Sequence, residues 1–359
     1  MNKSILKHEA RWMKWILLLS IIASLFLTIM FSLSLDTAFE RIFSHGLQIN
    51  QAIIQDSLRS MTGMILVLFT AITIIQVFIQ FRSEKDQEVG RFLKSLPVKK
   101  DEFFKVKLST GIINITLGFI VLAMGIIIVR TKNMFWIKDI YSVSIISAPF
   151  VKGDGIGSLL KEIGLIYLIV LSFYTFLFMI QYTFTNVIGG IVTGILVWLA
   201  PGFIIYASMF TLERFSSGPI LHTIARFSEK LLPWLYPFEY NYNTLITDAN
   251  GMALSRLMNI ENLEIKYIIT LGLILINIII GDKLNKSSKV ENENMIIPFK
   301  ISRNIFKFGV TICSGLLVSI ILSEIMMIQI NNIIYMLLIL LGGFIGYFIS
   351  QKIARVGIR

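Results

Sequence analysis

The sequence predicts an all-α polytopic membrane protein, and three observations predict it. The chain of 359 residues is 55% hydrophobic with a mean hydropathy of +0.76, more apolar surface than a soluble domain with so little polar sequence can cover. The apolar residues collect into eight runs of about 20, the length that crosses a bilayer as a helix. Inside lipid the backbone has to satisfy its own hydrogen bonds, so each run is read as a helix. The single cysteine, Cys313, excludes an internal disulfide and any cysteine-based metal site.

The predicted spans are Trp15–Leu35, Met61–Phe81, Gly111–Val129, Ile163–Phe184, Ile188–Phe210, Ile265–Gly281, Phe306–Met326 and Ile333–Ser350. The first is too long for the apolar core of a secretion signal and lacks a small-residue cleavage pattern, so it reads as a retained span. Before it, Met1 to Lys14 interleaves basic residues with Ile5, Leu6, Trp12 and Met13, as an amphipathic helix in the membrane interface does. The fourth and fifth spans are joined only by Thr185, Asn186 and Val187, a tight hairpin. The sixth span is short and begins beside Lys266, which is expected to snorkel to the interface.

Eight spans put both termini on one side, and positive charge chooses the side. Of the 33 Lys and Arg residues, 21 fall in short segments on the face that carries the termini. That face is therefore expected to be the cytoplasmic side of a bacterial cell membrane. The net charge of +11 is then a topology signal and calls for no nucleic acid. Two long loops fall outside. Arg130–Glu162 contains "KGDGIGS", read as a turn, since no strand precedes it as a phosphate loop requires. In Thr211–Glu264, Ile220, Leu221, Ile224, Phe227 and Leu231 recur at helical spacing, and Trp234, Tyr236, Phe238 and Tyr240 suit an aromatic belt; short helices on the outer leaflet are expected there.

Between the second and third spans lies a basic, half-apolar stretch, residues 89–111, "VGRFLKSLPVKKDEFFKVKLSTG". Pro97 stops the helix arriving from the second span, Asp101 caps a new one, and Glu102 favours its positive end. Phe104 and Leu108 share a face with Phe103 and Val106 beside it, and Lys99, Lys100, Lys105 and Lys107 cover much of the rest. Such an element either lies on anionic lipid heads or presents an apolar and basic knob to a soluble partner.

The stretch "FLKSLPVKKDEFFKVKL" resembles, at Leu93, Ser95, Leu96, Pro97, Val98, Lys100 and Lys105, the element between spans two and three in the membrane (permease) subunits of bacterial type-2 ABC exporters, of the Gram-positive eight-span variety. The amphipathic start, the tight hairpin and the long loop before the sixth span are similar in layout. The resemblance implies a six-span core over residues 1–281, a cytoplasmic linker over 282–307 and a two-helix hairpin over 308–359. It implies that Leu96, Pro97, Lys100, Asp101, Phe103, Phe104 and Lys105 dock on an ABC ATP-binding subunit, present in two copies. It also implies a second permease subunit, identical or homologous, and export of an amphipathic substrate such as an antimicrobial peptide, a lipid or a lipid-linked compound. ATP and Mg are expected on the partner ATPase, with no cofactor on this chain.

The remaining chemistry is sparse. The dipeptide Gly-Lys never occurs, so no Walker A loop is present. "HEARW" has Trp12 where a zinc protease needs its second His, and no G-x-S-x-G occurs. The chain is read as a transport subunit and not an enzyme. Glu324 lies near the outer end of its span, which reads as an interfacial carboxylate or an ion-coupling site. Five amides, Gln76, Gln80, Asn114, Gln181 and Asn277, fall in the inner half of the membrane, either lining a vestibule or holding helices together. Pro201 and Gly202 sit past the middle of the fifth span, as a static kink or a hinge. Two other classes remain alongside the exporter: an ion-coupled secondary transporter, and a non-transporting membrane scaffold or sensor that recruits an ATPase.

Overall fold

The computed structural model describes residues 3–45, 52–86, 100–143, 153–215, 244–247, 253–257, 262–287, 299–325 and 331–355. In order these form α1 (Lys3–His45), α2 (Ile53–Lys85), α3 (Lys100–Val143), α4 (Ile156–Gln181), α5 (Val187–Phe215), β1 (Thr244–Thr247), β2 (Ala253–Leu257), α6 (Leu263–Ser287), α7 (Lys300–Ile325) and α8 (Asn332–Arg355). Eight of the described helices are long and apolar enough to cross a membrane, one for each predicted span.

The helices outrun the predicted spans. α3 has 44 residues, about 66 Å at 1.5 Å per residue, twice the hydrocarbon thickness of a bilayer. It absorbs the described part of the basic stretch at one end and the start of the Arg130–Glu162 loop at the other. That loop therefore shrinks to the residues between Val143 and Ile156, with Gly153 to Gly155 making the expected turn. α1 is likewise one helix from Lys3 to His45, so the amphipathic start is helical and runs on into the first span without a break. In the Thr211–Glu264 loop the described strands β1 and β2 pair antiparallel, Thr244 opposite Leu257, beyond the residues that carry the expected short helices. Ile220 to Tyr240 lie outside the described residues.

The chain forms two compact units. The first comprises Met1–Gln80, Val98–Thr175 and Tyr240–Asn277; the second comprises Phe81–Pro97, Phe176–Glu239 and Ile278–Arg359.

In the first unit α1 and α3 run parallel and close together. Ser20, Ser24 and Thr28 repeat every fourth residue on α1, and Gly118 and Gly125 repeat every seventh on α3, so both sets keep one face. Ser24 Oγ donates to the Gly118 carbonyl at 2.8 Å, and a Cβ on Gly125 would stand 2.2 Å from Thr28 Oγ1. Small residues at such a seam let backbones approach and gain dispersion contacts where lipid supplies no hydrophobic drive. Met13, Ile16 and Ala23 of α1 then pack on Ile72 of α2. Phe69, Phe119 and Tyr167 stack through α2, α3 and α4 with centroids 4.2 and 5.4 Å apart.

In the second unit α7 and α8 form the closest pair. A Cβ on Gly315 would lie 2.8 Å from the Ile339 carbonyl, one on Gly342 would lie 2.8 Å from the Ser314 carbonyl, and one on Gly346 would lie 1.8 Å from Ser314 Oγ. Ser314 Oγ donates to the Gly342 carbonyl at 3.0 Å. α5 packs on α7, and Thr211 of α5 meets Tyr335 of α8 at 3.3 Å. Backbone cannot rotate out of the way as a side chain can, so Gly342→Val is expected to part this hairpin at a cost of about 1–3 kcal/mol. Protease accessibility of the last 50 or so residues in detergent reads the effect; protection equal to wild type would count against the close packing.

Candidate functional site

The start of α3 carries the residues that the sequence singles out for docking. Asp101 and Glu102 lie in its first turn, where carboxylates offset the exposed N–H groups and the positive helix end. Because the helix begins at Lys100, Asp101 stands inside that turn and is not the residue capping it. Phe103 is half-buried and Lys105 is exposed. Phe104 is 3% exposed and belongs to the core of the chain, so Phe103 and Phe104 do not form an exposed pair. Val106 and Lys107 are buried beside it. Leu96 and Pro97 lie outside the described residues, as does the side chain of Lys100. Period alone placed Phe104 on an apolar face; only its burial in the folded chain shows that this face is already covered.

Behind this end stands a buried polar ladder. Gln80 Nε2 donates to the Lys107 carbonyl at 2.9 Å and Gln76 Nε2 to the Gly111 carbonyl at 3.1 Å, tying α2 to α3. Tyr174 of α4 donates to Gln80 Oε1 at 3.2 Å and lies 3.3 Å from the Lys107 carbonyl. Gly111 makes room for the phenol, since a Cβ there would stand 1.9 Å from the Tyr174 oxygen. Asn114 Nδ2 donates to the Met13 carbonyl of α1 at 3.1 Å. Asn277 of α6 lies 3.5 Å from the Ser172 carbonyl and 3.4 Å from Thr175 Oγ1 of α4. In the second unit, Gln181 Nε2 donates to the Val187 carbonyl across the α4–α5 turn at 3.2 Å. All five amides are buried, and their donors go to other helices or across a turn. Of the two readings open in the sequence, these bonds are those of helix-to-helix glue.

The α4–α5 turn has a further support. Lys85, at the end of α2, donates from Nζ to the carbonyls of Gln181 and Phe184. A cation there answers the acceptors that a helix C-terminus leaves open. Phe81, Phe178 and Tyr182 stack around it, with Phe81 5.1 Å from Phe178 and 5.4 Å from Tyr182. Asn186 Oδ1 accepts the Ile188 N–H at 2.9 Å and so caps α5. α5 itself continues as helix through Pro201 and Gly202.

The first unit also has a buried polar cluster at its other end, which the sequence did not disclose. On α2, Arg59 meets Glu162 of α4 at 2.6 Å. Arg59 Nε lies 3.2 Å from the same carboxylate oxygen, and Gln55 Nε2 donates to it as well. Asp154, in the turn before α4, accepts the N–H groups of Ile54 and Gln55 at 3.0 Å each and the Tyr141 hydroxyl at 2.6 Å. Burial pushes the Asp154 carboxyl up to about 6, against the pull of Tyr141, the two amides and the Arg130 charge. Glu162 stands one residue outside its predicted span and Arg59 two residues outside its own, so a hydropathy window assigned both to aqueous loops. Lys266 shows the same effect: expected at the interface, it is buried in this unit.

On α2 the ladder at Gln80 and the cluster at Arg59 are about 30 Å apart, the thickness of a hydrocarbon core. Between them apolar side chains and small polar residues share the packing, with Thr116 Oγ1 2.9 Å from the Tyr167 hydroxyl. Among the described residues no three His, Cys, Asp or Glu side chains are grouped to hold a metal ion. No protein-family model, curated protein or solved structure matches the chain.

Proposed function

We propose that this chain is the permease subunit of an ATP-binding-cassette exporter in a bacterial cell membrane. With a second permease subunit, identical or homologous, it forms the path for an amphipathic substrate. Two separate ATP-binding subunits, which hold ATP and Mg, supply the energy. The observation that carries the reading is the stretch "FLKSLPVKKDEFFKVKL", whose described half continues without a break into a membrane-crossing helix. Phe103 and Lys105 are available at that helix start, Phe104, Val106 and Lys107 are buried, and the Lys107 carbonyl is tied to Gln80 of the first unit. A push on the outer face of a helix clamped in this way moves the whole span, because helices transmit force as rigid elements and packed cores do not deform continuously.

An ion-coupled carrier is the second reading, and the buried carboxylates Asp154 and Glu162 are what favour it. Both already have hydrogen-bond donors, and both stand at one end of the unit, not along its middle.

Co-purification separates these readings. The chain, expressed with its chromosomal neighbours, is expected to retain an ATPase in equal amounts, and Phe103→Ala with Lys105→Ala to weaken that retention at least about tenfold, ~1.4 kcal/mol. Insertion should be unchanged, and thermal stability should fall by less than for a fully buried phenylalanine, since Phe103 is half-buried and Lys105 exposed. Undiminished retention by the double variant would move the docking site elsewhere. Transport by the chain alone, without nucleotide, would replace the exporter with a carrier.

A further inference from the structure

Along one face of α1 the exposed side chains change character once. Lys7, Arg11 and Lys14 are exposed, and so are Leu18, Ile22, Leu25 and Ile29 beyond them. Steps of three or four residues join them all, so they form a single stripe down the helix. Glu9, the only carboxylate before Asp36, falls on the opposite side and is buried. Trp12 and Trp15 flank the change from charged to apolar and are 60% and 63% exposed. The Lys14 ammonium stands 5.2 Å from the centre of the Trp15 ring.

The helix itself gives the depth of this change. Lys14 and Asp36 bound the uncharged part of α1, and they lie about 33 Å apart along an unbroken helix, close to the thickness of a hydrocarbon core. With Lys14 at the edge of that core, Arg11 stands about 4.5 Å and Lys7 about 10.5 Å further out. The headgroup layer on each side is roughly 5–8 Å deep, so the three cations run through it. Trp12 and Trp15 stand where an indole meets both apolar tails and water.

We propose that this end of α1 is a binding site for an anionic phospholipid, whose phosphate meets Arg11 and Lys14 and whose acyl chains lie along Leu18, Ile22, Leu25 and Ile29. A guanidinium fork suits phosphate oxygens. A zwitterionic lipid brings its own ammonium into the same layer, where Lys7 and Arg11 repel it; phosphatidylglycerol brings none. A soluble polyanion would match the cations and leave the apolar stripe uncovered, whereas a phospholipid matches both in the order in which they occur. At the other end of the apolar stripe the exposed charges of α1 are Asp36, Glu40 and Arg41, with no excess of cations, so the preference belongs to one leaflet. The site does not depend on whether an ATPase docks at the start of α3.

Tryptophan quenching reads the lipid in contact with Trp12 and Trp15. The full chain is placed in phosphatidylcholine bilayers with a minor share of phosphatidylglycerol, and bromine is carried on the acyl chains of one lipid or the other. The difference from a Trp12→Phe, Trp15→Phe variant isolates these two rings from the other indoles. Phosphatidylglycerol is expected to be favoured at least about fivefold at low salt. The preference should fall towards one in about 1 M NaCl, where the screening length is ~3 Å. Lys7→Gln with Arg11→Gln and Lys14→Gln should abolish it. Equal quenching by both lipids in wild type, or a preference that salt leaves unchanged, overturns the proposal. So does an equal loss in Lys283→Gln with Lys352→Gln, two exposed cations elsewhere in the chain, since the preference would then belong to the charge of the whole chain. Quenching by neither lipid would mean that a protein surface, a second copy included, covers the stripe, and overturns it as well.

Discussion

Replacing Arg59 with Met is expected to destabilise the chain by about 3–5 kcal/mol. The pair it forms with Glu162 is withdrawn from water, with side-chain exposures of 5% and 6%. The methionine fills the space and leaves the Glu162 carboxylate with Gln55 and no buried counter-charge. The combined change Arg59→Met with Glu162→Leu should recover most of the loss, because an apolar pair needs no desolvation. Thermal unfolding in detergent, run as a double-variant cycle, measures the coupling. If Arg59→Met loses under about 1 kcal/mol, the pair behaves as a surface ion pair and this end of the unit is wet.

The second large effect is expected at Gly111. A Cβ there would fall 1.9 Å from the Tyr174 oxygen, 2.3 Å from its Cζ and 2.7 Å from Gln76 Nε2. Tyr174 is fully enclosed, so its ring has nowhere to swing, and the methyl has to push α3 off α2 and α4. That movement also breaks the bonds from Gln76 to the Gly111 carbonyl and from Gln80 to the Lys107 carbonyl. Gly111→Ala should therefore cost about 3 kcal/mol or more, above the usual range for one added methylene. Tyr174→Leu in the same chain vacates the ring position and should return part of it. A Gly111→Ala variant as stable as wild type would mean that α2, α3 and α4 stand further apart than these bonds require. The same variant bears on the proposed coupling, since the site of insertion is about two turns from Phe103 along α3.

The sequence alone determined the class and the count: eight apolar runs, each now in a helix long enough to cross a membrane. It could do so because lipid leaves an uncharged run of about 20 residues one backbone solution, a property of the run and of nothing else in the chain. The tight α4–α5 hairpin, the helical start before Trp15 and the turn at "KGDGIGS" were legible for the same local reason. What only the tertiary structure decided is where polar atoms go. Gln76 and Gln80 read equally as vestibule or glue until Gly111 and Lys107 stand opposite them. Phe104 reads as an exposed knob until the folded chain buries it. Arg59, Asp154 and Glu162 read as loop charges until the ends of α2, α3 and α4 meet. A hydropathy window sums residues along one chain. Whether a charge or an amide is buried depends on which helix stands beside it, and that partner lies 27 residues away for Gln80 and Lys107 and 103 for Arg59 and Glu162.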